Sequence, residues 1–311
     1  MSAGGAERYT EYPQRPIRLI IGGSPGGGSD ILARRFSTAL SEFLGWPVFV
    51  ECLLGASGNF AAMAVARASP DGYTILLGTR SATLHRKMYR HLEYDFEQDL
   101  VPVAMVARIP VGIVVGKNCK AQCLHQLIQL AKTNPGRLSA ATLGVGTTSH
   151  IVSVLLQDAA GIQLQHIPYM EVSRALKDVV GGRVDLLFTQ LSGGISHMNA
   201  GSVQALAVTS PHASANLPVV PTVAEEGLAE VNADDWFIAM APSNTPSDII
   251  AILNDAINQA LTDQNLRDDL TELGYVLSWF ADTPDGLQDF LTEENMLWTQ
   301  VLKDHRVIGF Q

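Results

Sequence analysis

The chain is poor in cysteine and in charge, and it has no long apolar run. Its 311 residues include three cysteines, Cys52, Cys119 and Cys123, an odd number that offers no disulfide framework. Cys119 and Cys123 lack a second Cys or His pair at zinc spacing, which excludes a structural zinc; they are either free thiols or a short bridge in an oxidising compartment. No apolar stretch reaches the roughly 17–25 residues of a membrane span, so no direct membrane insertion is expected. Met1 to Arg8 lacks the apolar core of a signal peptide, so the chain reads as cytosolic or already processed. Basic residues number 21 against 31 acidic, a net charge of −10, which argues against nucleic acid as a partner. Catalytic signatures are missing too. There is no G-x-S-x-G elbow, no H-E-x-x-H and no P-loop lysine, and neither a metal nor a cofactor is implied.

What is present is a repeated turn. Ile17–Ile21 reads as a strand, Gly22-Gly23-Ser24-Pro25-Gly26-Gly27-Gly28 follows, and an amphipathic helix pattern begins at Ser29. Leu138–Thr142 reads as a second strand, followed by Gly144-Val145-Gly146-Thr147-Thr148-Ser149-His150 and another helix pattern. A Gly-rich turn at a helix N-terminus directs backbone N–H groups at a ligand, and the helix dipole adds roughly half a positive charge there. Two such anion cradles invite one small anion between them. The second breaks the dinucleotide fingerprint, because Ser149 stands at its third glycine.

At 47% hydrophobic residues the chain is long and apolar enough for two domains or one large one. Apolar runs suggest further strands at Val48–Glu51, Tyr73–Leu77, Pro102–Ala107, Val111–Val115, Leu164–Ile167, Val184–Thr189 and Val203–Val208. Helical patterns fall near Asp30–Leu44, Asn59–Ala68, Leu124–Thr133, Ser149–Ala160, Ser173–Gly181, Pro246–Leu261, Leu266–Leu273 and Pro284–Leu302. The alternation predicts a doubly wound α/β architecture with mostly parallel sheets. Val101–Gly116 and Ala205–Pro221 read as a pair of crossings between lobes; the alternative is that both belong to one large sheet.

Individual side chains carry two readings each. His150, one turn into its helix, is either a base or a ring hydrogen-bonded to the backbone to shape the cradle. Asp30 either pairs with Arg34 at i+4 or meets a ligand group. Arg80, past the end of Tyr73–Leu77, either grips a second carboxylate bidentately, or faces solvent or pairs with a surface acid. Tyr169, Gln190 and Ser192 follow strand ends, and Trp236 reads as core. The paired acids Glu225-Glu226, Asp234-Asp235, Asp268-Asp269 and Glu293-Glu294 read as solvated faces.

Tyr12-Pro13-x-x-Pro16-Ile17-Arg18, Pro25-Gly26-Gly27-x-x-Asp30, Gly55-Ala56-x-Gly58-Asn59, Pro70-Asp71-Gly72-Tyr73-Thr74, Gly144-x-Gly146-Thr147-x-x-His150, Gly181-Gly182-x-Val184-Asp185, Pro221-Thr222-x-x-Glu225 and Ala241-Pro242-x-x-Thr245-Pro246 occur in register along the chain. In these runs the chain resembles the Bug family, substrate-binding receptors of tripartite tricarboxylate transport systems. The resemblance implies a type II-like periplasmic binding protein that is not an enzyme. Two helix-covered lobes, 1–110 with 220–311 and 111–219, would close over a small carboxylate, with hinge crossings near 101–116 and 205–221. It also implies membrane transporter components as partners and a leader already removed. Its two facing loops fall on Ser24 to Asp30 and Gly144 to His150, which bring Ser24, Pro25, Gly26, Gly27, Gly28, Asp30, Gly146, Thr147, Thr148 and His150 to the ligand; this chain's own residues add Arg80, Ser81, Tyr169, Asp185 and Gln190 as candidates. Gly23-Ser24, Met170-Glu171 and Gly78 to Thr83 depart from the family pattern, and Arg80 would favour a dicarboxylate. The competing readings are an α/β hydrolase or transferase using His150 with the Gly144–Ser149 turn, and a cytosolic carboxylate sensor.

Overall fold

The computed structural model describes residues 12–89, 91–210, 220–231, 233–277 and 282–305. The reading of Met1 to Arg8 and residues 211–219 of the second crossing lie outside them.

Two five-stranded sheets make up the frame. The first takes β1 (Ile17–Ile21), β2 (Val48–Cys52), β3 (Thr74–Thr79), β4 (Leu100–Ile109) and β10 (Asp235–Pro242), in the order β2-β1-β3-β10-β4. The second takes β5 (Val111–Gly116), β6 (Ser139–Thr142), β7 (Gln165–Pro168), β8 (Leu186–Gln190) and β9 (Val203–Val208), in the order β7-β6-β8-β5-β9. In each sheet one strand runs against the rest: β10 is antiparallel to β3 and β4, and β5 to β8 and β9. Both reversed strands are buried at every residue, as strands covered by helices on both faces must be.

The sheets are two rather than one. The chain leaves the first at Ile109, passes Pro110 and enters the second at Val111. It re-enters the first at Asp235.

Helices α1 (Gly28–Leu44), α2 (Asn59–Ala66), α3 (Arg80–Met88), α4 (Phe96–Asp99), α5 (Leu124–Thr133), α6 (Thr148–Ala160), α7 (Val172–Val180), α8 (Leu191–Asn199), α9 (Ser247–Ala260), α10 (Gln264–Glu272) and α11 (Pro284–Asp304) cover them. Apolar stripes drive the packing: Leu32, Phe36 and Leu40 of α1 enter the core of the first sheet, and Ile151, Val152, Leu155 and Leu156 of α6 that of the second. Two helices join the cores. Leu191 of α8 packs with the first-sheet core, and α11 has Leu287 and Leu291 on the first side and Trp298 and Leu302 on the second.

Four elements depart from the expectation, the single-turn α4 among them. α3 occupies a polar segment, RSATLHRKM, that carries little helical pattern. α8 carries Gly193 and Gly194, which cost about 1 kcal/mol each relative to alanine and hide a helix from propensity. β10 contains Ala239, Ala241 and a final Pro242, yet all eight of its residues pair with β4 and Phe237 to Met240 pair with β3 as well. Cys119 and Cys123 are free thiols.

Candidate functional site

The forward strands of both sheets end toward one cavity of about 110 Å3. Since β1, β2, β3, β6 and β8 each lead into a helix, the starts of α1, α2, α3, α6 and α8 collect around it. A doubly wound sheet binds its ligands at this edge because strand ends and helix N-termini coincide there. One wall holds Ser24, Gly27, Gly28, Ser29, Ser57, Thr79 and Ser81; the other holds Leu143, Thr147, Thr148, Ser149, Met170 and Gln190. The walls touch. Ser57 Oγ donates to the carbonyl of Val145 at 2.6 Å, and Gln190 Nε2 donates to Asp235 at 2.8 Å.

The first turn starts α1 without a side-chain cap, because the N-cap is Gly27. The first intrahelical bond is Ile31 N–H to Gly27 C=O, so the N–H groups of Gly28 and Ser29 are free of the helix ladder. The turn is fixed from behind: Asp30 accepts from Gly26 N–H at 2.9 Å and pairs with Arg34 at 2.8 Å. The absence of a side chain at Gly28 matters, since a Cβ there would come within 2.1 Å of Gln190 Oε1. Tyr275 also donates to the Gly28 carbonyl at 2.5 Å.

The second turn is capped. Thr147 Oγ1 donates to Gly144 C=O at 2.7 Å and accepts from His150 N–H at 3.4 Å. His150 Nδ1 accepts from Gly146 N–H at 3.3 Å, which requires the tautomer with its proton on Nε2. Burial first, and the neighbouring His166 second, push the His150 ring down to about 4 from its ordinary 6.5, so it is neutral at pH 7. Thr148, the first residue of α6, is 2% exposed, and its hydroxyl has no partner among the described residues.

Of the expected ligand residues, Ser24, Gly27, Gly28, Ser81, Thr147, Thr148 and Gln190 line this cavity. Pro25 and Gly26 face outward on the first turn. Asp30, Gly146 and His150 stand behind the cavity wall and hold the turns. Tyr169 turns away and donates its hydroxyl to Asp178 at 2.7 Å.

Arg80 and Asp185 are placed away from the cavity. Arg80 neither reaches the cavity nor lies in solvent: it is 2% exposed, its Nε bonds Glu294 at 2.9 Å, its Nη1 bonds the carbonyl of Asp234, and its guanidinium lies 4.4 Å from the Trp298 ring centre. It heads α3, and its side chain leaves on the side of α11. Asp185 precedes a forward strand and is therefore at the opposite edge of the second sheet, where Oδ2 accepts from Ser139 N–H at 2.7 Å. Ser192 donates to Tyr275 at 2.9 Å, and Trp236 is core, donating from Nε1 to Glu294.

Asp235 went unrecognised. It is 3% exposed and lines the cavity. It opens a reversed strand, whose start lies at the edge where the forward strands end. The signal was an acid pair directly before the apolar run of Trp236, Phe237 and Ile238. Asp234 and Glu294 are likewise drawn inward, onto Arg80, rather than forming solvated faces. Ser57 was passed over as well; it sits in a short 3₁₀ turn at φ 56°.

A family model described as "Tripartite tricarboxylate transporter family receptor" matches residues 32–306. The protein BugT of Bordetella pertussis is 34% identical over 295 residues, covering 94% of this chain and 90% of its own. Among solved structures, R. palustris Rpa4515 with adipate superposes with a TM-score of 0.92 at 30% identity, covering 96% of this chain and 100% of that one. MatC (Rpa3494) from Rhodopseudomonas palustris with bound malate gives 0.87 at 28%, covering 94% and 100%. The chain belongs to the tripartite tricarboxylate transporter receptor family, whose members are periplasmic solute-binding receptors and not enzymes.

Proposed function

We propose that this receptor captures a small carboxylate between the N-termini of α1 and α6 and presents it, in the periplasm, to the membrane components of a tripartite tricarboxylate-type transporter. The observation that carries the reading is Thr148, a residue that lines the cavity and whose buried hydroxyl meets no partner among the described residues. A ligand carboxylate supplies the acceptor it lacks, and the free N–H groups of Gly28 and Ser29 face the same space. Charge-assisted hydrogen bonds contribute about 1.5–3 kcal/mol each, so three or four support micromolar binding, about −8 kcal/mol, after ordering costs. The adipate and malate bound by two neighbours support a carboxylate as the class of ligand. The lobes, 1–110 with 220–311 and 111–219, swing about the crossings near 101–116 and 205–221, since neither turn alone encloses an anion.

Melting curves and small-angle scattering with a panel of mono- and dicarboxylates test this. A binding member at 100 times Kd adds about 2.7 kcal/mol of stability, is recovered unconsumed and lowers the radius of gyration. A panel without any shift contradicts the reading, and an unchanged radius at saturation contradicts the closure.

A further inference from the structure

Among the described residues that border the cavity there is no lysine, arginine or histidine, and the one charged group is the acid Asp235. Its Oδ1 accepts two backbone N–H groups, from Trp236 at 3.0 Å and Arg80 at 3.3 Å. Its Oδ2 accepts one bond, from Gln190 Nε2 at 2.8 Å. A carboxylate offers about four acceptor positions, so Oδ2 has room for another donor. The nearby cations are committed elsewhere. Arg80 pairs with Glu294 at 2.9 Å and lies 3.7 Å from Asp234, and Arg108 lies 3.6 Å from Asp234. No ion pair to Asp235 occurs among the described residues.

A plain carboxylate held at the two helix N-termini would therefore share a cavity of about 110 Å3 with a buried acid and no cation between them. Like charges between two protein walls oppose each other. A ligand that carries an ammonium beside its carboxylate removes the conflict. Gln190 bridges the two places: Oε1 lies over Gly28, where a Cβ would approach to 2.1 Å, while Nε2 bonds Asp235. One side-chain amide thus connects the start of α1 with the acid, which brings a carboxylate site and an acceptor for an ammonium to the same cavity.

We propose that the receptor selects an amino carboxylate: its ammonium donates to Oδ2 of Asp235 while its carboxylate lies between α1 and α6. The inference rests on the carboxylate reading above and specifies its ligand. The pocket then recognises a zwitterion with an acid and two helix dipoles, without any basic side chain.

Calorimetry with matched ligands at neutral pH tests it: alanine against lactate and propionate, aspartate against malate and succinate, and glutamate against glutarate. In at least one series the amino member binds about tenfold or more tighter than the plain one, with the hydroxy member between them. Asp235→Asn brings the members of that series to near-equal affinity, chiefly by weakening the amino member, and its melting temperature reports whether the fold is kept. The ligand series in the unmodified protein judges the inference even if that variant fails to fold. It is overturned if the plain or hydroxy member binds as tightly as the amino one, or if a folded Asp235→Asn keeps the preference. Succinate binding without aspartate binding would overturn this inference alone. Failure of every member to bind would overturn the carboxylate reading as well.

Discussion

The turn before α1 and the turn before α6 follow the same plan, a strand ending in glycines before a helix, yet they are stiffened by different chemistry. The first leaves its helix uncapped and is braced from behind by Asp30, which is paired with Arg34. The second caps its helix with Thr147 and is braced by His150, a ring kept neutral by burial. The first thus presents bare backbone at the cavity, and the second a residue with an unpartnered buried hydroxyl, Thr148. The difference teaches that one feature of the sequence, a Gly-rich βα turn, yields two distinct halves of a site.

The comparison breaks most sharply at the first turn. Gly28→Val puts a branched side chain against Gln190 and into the cavity, so carboxylate affinity should fall by about 1000-fold, on the order of 4 kcal/mol, in calorimetry. A loss below tenfold would mean that the ligand does not approach this backbone.

Acid should separate the two turns next. His150 is held down to about 4 in the folded protein against an ordinary 6.5, so the unfolded chain binds the extra proton more readily. Its contribution is fully present above pH 6.5 and is lost as pH falls toward 4, on the order of 3 kcal/mol in all. Protonation also puts a hydrogen on Nδ1 and ends its bond from Gly146. Denaturant melts across this window should therefore fall more steeply for the native protein than for His150→Gln. Parallel curves would remove histidine from the bracing of the second turn.

A smaller loss is expected at the second turn from Thr148→Val, which keeps the shape and deletes the hydroxyl. It should weaken a carboxylate by about tenfold, near 1.4 kcal/mol, and leave the melting temperature of the empty protein almost unchanged. An unchanged affinity would show that the buried hydroxyl faces no ligand.

Both turns were legible in the sequence because glycine clusters between an apolar run and a helix pattern mark them without tertiary knowledge. Nine of the ten described strands and most helices were legible within a few residues for the same reason, that period and length decide them. The roles of charged side chains were less so. Arg80 sits next to the cavity in sequence, but α3 begins at that residue, and α11, more than two hundred positions later, supplies the acid that draws the guanidinium away. Asp235 looked like half of a solvated pair because strand β10 was not recognised, and only its reversed direction brings its start to the ligand edge. Local pattern thus reveals where backbone will meet a ligand. Which charges arrive there depends on strand direction and on partners distant in the chain.

The central claim, that one ligand lies between the two turns, is tested most directly by a crystal structure with the tightest-binding carboxylate of the panel. The account predicts a carboxylate oxygen within hydrogen-bond distance of Thr148 Oγ1 and the same carboxylate group accepting from the N–H of Gly28 or Ser29. A carboxylate bound elsewhere, or held by one turn with the other left open, would contradict it.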